Sequence, residues 1–166
     1  MVSWHKLLQV LQLEDHREFL LENFYFNDLN KFNLEKIQLK KTSKSNQYLY
    51  ESKGFNILRW HFKPEIIFLI IYGEKSISLE TNENLIKGLG LFSDIIKIRI
   101  NLIILKNPEN SFTAQRSITL GFKKKPNFLK FIPYKILKKL LSQALELVAT
   151  RIDKKLLLKL ADLKQN

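Results

Sequence analysis

Apolar and polar residues alternate along much of the middle of the chain. From Ile96 to Ile104 every second residue is isoleucine or leucine, and Lys97, Arg99 and Asn101 stand between them. The same period of two returns in residues 111–122, after a turn signal at 107–110. Successive side chains of a strand point to opposite faces, so these stretches predict strands with one face on a core. Residues 46–123 as a whole therefore predict an antiparallel sheet.

Two further segments belong to this predicted sheet. Residues 55–62 alternate and predict a single strand, which Pro64 terminates. Gly73–Lys75 predicts a hairpin turn between the apolar run Ile66–Tyr72 and a strand over residues 76–80.

The first 41 residues carry a weaker pattern. Charged residues at 14–18 are followed by phenylalanine and leucine at mixed spacing. This spacing favours one or two short N-terminal helices, preceded by a first strand around residues 6–13.

The C-terminal segment changes to a helical period. Residues 134–164 contain neither glycine nor proline, and Pro133 suits the first position of a helix. The pattern predicts one amphipathic helix of about 30 residues, about 45 Å long, whose apolar stripe must lie on the sheet. The chain is thus expected to be one α+β domain over residues 1–166. The apolar residues that recur at steps of three and four are Leu137, Leu141, Ala144, Val148, Ile152, Leu156, Leu160 and Leu163.

A strand meander followed by one long C-terminal helix is similar to the helix-grip layout of START-like (SRPBCC, Bet v 1-like) domains. Four segments carry a narrower resemblance, namely Tyr48–Phe55, Lys63–Ile66, Ile86–Gly90 and Pro126–Pro133 with the leucine-rich helix after it. They resemble the cyanobacterial and plastid family named domain of unknown function 1997, over about residues 46–163. The resemblance implies a START-like fold and a photosynthetic source, in the plastid stroma, at the thylakoid surface or in a cyanobacterial cytoplasm. It brings no catalytic residues with it.

Composition excludes several classes of function. The chain has no cysteine, which removes thiol catalysis, zinc ribbons and iron–sulfur clusters. Its three histidines are scattered, and no phosphate-binding or hydrolase motif occurs. We therefore expect a protein without metal, cofactor or enzymatic activity. The chain starts without a secretory signal pattern, and its longest apolar run is far shorter than the roughly 20 residues of a bilayer helix, so neither secretion nor a membrane span is expected.

Arg116 interrupts an otherwise apolar strand face. It shares that face with Phe112, Ala114, Ile118 and Leu120. A buried arginine is costly unless it is paired, so one interpretation is that it anchors the anionic head group of a ligand between sheet and helix. The alternative is a strand bulge, or a side chain that reaches out at the sheet edge.

Large aromatic residues on the strands are candidates to line such a cavity. Trp60 and Phe112 are the two we single out, and packing in a solid core is the alternative for both. With Arg116 they form a candidate site for a hydrophobic ligand or a partner segment.

The formal net charge of +12 is concentrated near the C-terminus, because residues 123–166 hold twelve basic and three acidic side chains. The cluster favours contact with an anionic membrane surface or an acidic protein. Nucleic acid is a weaker candidate, because aromatic residues do not interleave with the lysines and arginine is scarce. A solvated face in a lysine-rich chain is the remaining alternative. The clustered residues are Lys123, Lys124, Lys125, Lys130, Lys135, Lys138 and Lys139.

Overall fold

The computed structural model describes residues 12–21, 39–57, 60–109, 111–123 and 132–164. In these residues the chain forms strands and one long helix, α1, which extends from Tyr134 to Lys164. The strands are β1 (Gln12–Leu21), β2 (Lys40–Lys41), β3 (Gln47–Glu51), β4 (Phe55–Ile57), β5 (Trp60–Phe62), β6 (Glu65–Tyr72), β7 (Ser76–Asn82), β8 (Ile86–Lys87), β9 (Ile96–Lys106) and β10 (Phe112–Phe122).

Eight of the described strands form one antiparallel sheet. Its order is β1-β10-β9-β7-β6-β3-β2, and the short β8 pairs with the start of β6. The central strands follow one another through tight turns, such as the one in which the Gly73 amide donates to the Ser76 carbonyl at 2.8 Å. Strand β1 joins the sheet from far away in sequence, beside β10 at its edge. The predicted antiparallel sheet with one long C-terminal helix is confirmed.

The period-two pattern places apolar side chains of neighbouring strands on one inner face of the sheet. Two buried clusters share that face. The first, here called the sheet core, includes Phe19, Ile77, Ile104 and Phe112. Each such side chain contributes about 1.5–3 kcal/mol when it is fully removed from water.

The second cluster, here called the helix core, joins the sheet to α1. Ile98 and Ile118 of the sheet pack there with Leu141 and Leu145 of the helix. On β10, Ala114 belongs to the sheet core and Ile118 to the helix core, so Arg116 lies between the two clusters.

The buried stripe of α1 advances in steps of four residues. Leu137, Leu141, Leu145 and Ala149 are buried in turn, and the next step is Asp153, which is buried as well. Four residues turn a helix by about 400°, so the contact moves about 40° around the helix at each step. A twisted sheet presents a contact line that rotates in this way, which suits a straight helix lying across it.

The first described segment differs from the prediction. Residues 12–21 form strand β1, so the prediction that a helix follows residue 13 is wrong for this stretch. The register with β10 turns Asp15, Arg17 and Phe19 to the inner side, and because two of these three are charged, the alternation is hidden in the hydropathy pattern. Residues 1–11 and 22–38, which carry the rest of that prediction, lie outside the described residues.

The segment predicted as one strand over residues 55–62 is a hairpin. Phe55 pairs with Phe62 and Ile57 with Trp60, and the two short strands form a separate small sheet. Cross-strand partners share a face, whereas a continuous strand would put Phe55 and Phe62 on opposite faces. Apolar and polar residues alternate within each short strand, which is why the pattern resembles one strand.

The segment Gly88–Gly90 forms a tight turn after β8. Gly88 has φ +84°, and a Cβ there would lie 2.5 Å from the carbonyl oxygen of Lys63. Gly90 has φ +57° but open space around it. Both positions favour glycine by conformation, and only Gly88 also needs the missing side chain for a close backbone approach.

Gly88→Ala is therefore expected to lower the free energy of unfolding by at least twice as much as Gly90→Ala, whose cost is about 1 kcal/mol. Urea unfolding followed by circular dichroism measures both. Equal losses would show that the contact with Lys63 does not constrain the turn.

Candidate functional site

Arg116 is the most deeply buried charged residue of the inner face, with a side chain only 1% exposed. Its guanidinium meets Asp153 of α1 with two nitrogens: Nε lies 2.5 Å from Oδ1, and Nη2 donates to Oδ2 at 3.0 Å. Nη1 donates to the Asp15 carboxylate at 2.7 Å and also reaches the Asp15 carbonyl oxygen at 3.3 Å. The Nη2 contact is a charge-assisted hydrogen bond, and the Nε contact brings the second carboxylate oxygen against the same guanidinium.

Arg17 completes the arrangement. Its Nη1 donates to Asp153 Oδ2 at 3.0 Å, and its guanidinium also covers the Phe19 ring at 4.6 Å. Arg17, Arg116, Asp15 and Asp153 together carry no net charge, and we call them the four-charge network. Because two carboxylates balance two guanidinium groups, Arg116 can be buried in a low-dielectric interior without leaving an uncompensated charge.

The register of the sheet explains why the helix is needed here. Arg17 of β1 and Arg116 of β10 stand directly opposite each other, and like charges at such positions repel. The Asp153 carboxylate comes from a third element and accepts from both. Its position, one step beyond Ala149 on the buried stripe, brings the helix to the sheet at this point.

An open cleft of about 420 Å³ lies between β1 and α1, over the four-charge network. Most of its lining is polar, but two helix residues, Leu145 and Ala149, belong both to the cleft wall and to the helix core. The cleft therefore reaches the apolar interior at one side. Its remaining lining residues are Asp15, His16, Arg17, Arg116, Ser142, Glu146, Thr150 and Asp153.

The charges limit what the cleft can do. The nitrogens of Arg116 already face two carboxylates, so an anionic head group would compete with Asp15 and Asp153 for the same donors. Glu146 adds a further acidic group to the wall. Within the described residues no hydrogen bond joins Ser142 to His16, whose ring instead lies 3.3 Å from Glu14. Nor does any group of three potential metal ligands occur there.

Trp60 and Phe112 do not line this cleft. Trp60 lies on the β4–β5 hairpin, where its ring packs edge-on against Phe92 at 5.5 Å, and Phe62 meets the same ring at 5.4 Å. Phe112 is 2% exposed in the sheet core. The structure thus places the three candidate ligand residues in three different surroundings, and their role in a ligand site stays a prediction.

The candidate basic surface divides into parts. Lys135, Lys138 and Lys139 are exposed on the first two turns of α1. Lys123 lies 3.5 Å from Glu83, a partly buried carboxylate that also accepts from the Ile98 amide at 3.4 Å. Lys124, Lys125 and Lys130 lie outside the described residues.

The partners of Arg116 are the residues that sequence reasoning missed. For Asp153 a signal existed, because steps of four from Leu137 lead through three buried residues to this aspartate. For Asp15 and Arg17 the signal depends on the register of β1 with β10, which local patterning does not contain.

In the described part of the chain, no helix combines the length and the hydropathy needed to cross a bilayer. The long α1 is too rich in lysine and other polar residues for that.

Comparison with known proteins yields matches only among solved structures. No protein-family model and no curated protein matches the chain. The crystal structure of a conserved protein from Geobacillus kaustophilus is 14% identical, with 90% of this chain and 96% of that one covered, at a TM-score of 0.47. A START superfamily protein from Mycobacterium smegmatis is 13% identical, with 86% and 95% covered, at a TM-score of 0.38.

We predict that breaking the buried ion pair of Arg116 and Asp153 lowers the free energy of unfolding far more than breaking an exposed ion pair does. Asp153→Leu or Arg116→Met alone is expected to lower the free energy of unfolding by about 3–5 kcal/mol, since each leaves a buried charge without its partner. The double variant is expected to lose less than either single variant, because both charges are removed together. Urea unfolding of the three variants gives the coupling between the two residues.

Lys40 and Glu51 provide the matched control. They form an ion pair at 3.0 Å, but their side chains are 68% and 50% exposed. Lys40→Met is expected to cost less than about 1 kcal/mol. A loss for Asp153→Leu no larger than this would contradict a structural role for the network.

We predict that Glu83 stabilises the fold at neutral pH and that this contribution is lost in acid. Burial favours a higher pKa for this carboxyl, but its own backbone amide, Lys123 and the Ile98 amide outweigh burial and hold the pKa below its ordinary value of 4.5. A lowered folded-state pKa stabilises the fold above the ordinary value, and this contribution disappears as the pH falls through the folded-state pKa. Glu83→Gln should therefore destabilise the protein at pH 7, with a difference from wild type that shrinks below about pH 4. Unfolding curves at pH 7, 5 and 3 check this, with Glu74→Gln in the exposed hairpin turn as the control.

Proposed function

We propose that this chain is a non-enzymatic START-like binding domain for an amphipathic ligand. The ligand's polar end would occupy the cleft between β1 and α1, and its apolar part would lie against Leu145 and Ala149.

One observation carries this proposal. The cleft of about 420 Å³ has a polar wall around the four-charge network and an apolar wall that continues into the helix core. Its volume is in the range of small-molecule sites, roughly 300–1,000 Å³. A surface with both characters side by side suits a molecule that has both.

The charges of the cleft narrow the chemistry of the polar end. Four of the charges cancel, and Glu146 leaves the wall slightly acidic. The exposed Ser142, Glu146 and Thr150 stand one turn apart on the helix and offer hydroxyl and carboxylate oxygens. We infer a neutral, hydroxyl-rich or cationic polar group, with Arg116 as a positioning residue that holds Asp15 and Asp153 in the wall.

The absence of enzymatic activity is part of the proposal. It is supported by the lack of a hydrogen-bonded nucleophile and base among the described cleft residues, and by a chain without cysteine. The resemblance of residues 46–163 to a cyanobacterial and plastid family supports a photosynthetic setting, at or near the thylakoid, with photosynthetic membrane biogenesis as the process served.

Native mass spectrometry tests the binding proposal. The protein is incubated with a total polar lipid extract of a photosynthetic membrane, desalted and measured under non-denaturing conditions. We expect one amphipathic molecule per chain, and the bare polypeptide mass alone would reject the proposal.

Two tryptophan substitutions localise the site. Thr150→Trp fills the cleft from its helix wall, whereas Gln143→Trp adds the same ring at an exposed helix position that does not line the cleft. Bound ligand should fall at least tenfold in Thr150→Trp and stay at the wild-type level in Gln143→Trp. Equal binding by both variants would place the ligand elsewhere.

A further inference from the structure

We propose that the first two turns of α1 form a docking surface for anionic lipid bilayers. The surface, here called the docking patch, consists of Lys135, Ile136, Lys138 and Lys139. It shares no residue with the cleft and does not depend on the ligand binding proposed above.

The positive charges of the patch do not stabilise α1. Its lysines are exposed, and the first turn of the helix contains no acidic residue. Cations near a helix N-terminus are unfavourable to the helix dipole, so these lysines weaken the helix slightly. Near an anionic bilayer each one contributes about 1 kcal/mol of attraction instead.

Ile136 gives the patch an apolar side. It is 50% exposed and lies next to Lys139 on the helix surface, about 100° around the helix axis from the buried Leu137. Residues three and four apart share a face, so Ile136 and Lys135 both neighbour Lys139. Helices that bind at the lipid interface likewise combine lysines with exposed apolar side chains.

The same features favour lipid over other anionic partners. Phosphates of nucleic acid attract lysine but offer an aliphatic side chain no apolar partner, and the patch has no aromatic residue on which a base would stack. The four side chains include no arginine, whose planar fork would suit bidentate recognition of one carboxylate or phosphate. A bilayer surface supplies diffuse negative charge together with an apolar layer beneath it.

Vesicle co-sedimentation tests the proposal with the full chain. The vesicles contain phosphatidylcholine with 30% phosphatidylglycerol, and pure phosphatidylcholine vesicles serve as the uncharged reference. We expect binding to the anionic vesicles only, an affinity at least tenfold weaker for Lys135→Glu/Lys139→Glu, and an affinity several-fold weaker for Ile136→Ser.

Two matched controls separate the patch from general properties of the chain. Lys41→Glu/Lys44→Glu makes the same change in net charge at two exposed lysines. Lys41 lies in β2 and Lys44 just after it, at the edge of the sheet opposite β1. Ile71→Ser removes an isoleucine that is 54% exposed on β6. Both should bind within twofold of wild type, and circular dichroism establishes that all four variants are folded.

The outcomes divide cleanly. Selective losses in the two patch variants support the proposal. Absent binding, equal binding to uncharged vesicles, or equal losses in the control variants overturn it. A loss with the lysine variant but none with Ile136→Ser also overturns it, since a bare basic surface then explains the data. Tighter binding to a 20-nucleotide single strand, with the same dependence on the variants, would assign the patch to nucleic acid instead.

Discussion

The fold depends on where a single buried charge finds its partners. Arg116 lies on the inner face of the sheet, between two apolar clusters, where an unpaired guanidinium would cost several kcal/mol. Asp15 of the edge strand and Asp153 of the helix both approach it, with Arg17 beside them. Three elements that are far apart in sequence are thereby held at one point. Apolar packing brings the helix onto the sheet, and this network specifies the position along the helix at which the two meet.

The same constraint shapes the candidate site. Charged side chains must gather around Arg116, so the region between β1 and α1 is polar and open to solvent, whereas the neighbouring turn of the helix is packed into the core. A cleft with one polar and one apolar wall is the consequence. The network that stabilises the fold and the surface proposed to bind a ligand are therefore physically inseparable, and Arg116 acts on the cleft through the carboxylates that it holds.

Particular residues show how far patterning leads. The period of two in β9 and β10 and the steps of three and four in α1 predicted the sheet and the helix, because burial on one face leaves its mark in local sequence. Most of strand β1 was missed because its inward positions include Asp15 and Arg17, whose orientation follows from ion pairing and not from hydropathy. The β4–β5 pair was predicted as one strand because apolar and polar residues alternate within each of its two short strands. Arg116 stood out in sequence as a charge on an apolar face, but its partners did not.

The sequence by itself determined the class of fold, the position of the long helix, the anomaly at Arg116 and the uneven distribution of charge. All four depend on residues close together in the chain, where composition and period are sufficient. The tertiary structure alone decided that β1 pairs with β10, that Asp15, Arg17 and Asp153 surround Arg116, and that a cleft opens beside Leu145 and Ala149. It also decided that Ile136 remains exposed among lysines. These features depend on strand register and on helix placement, which arise from contacts between distant segments and leave no periodic trace in the chain.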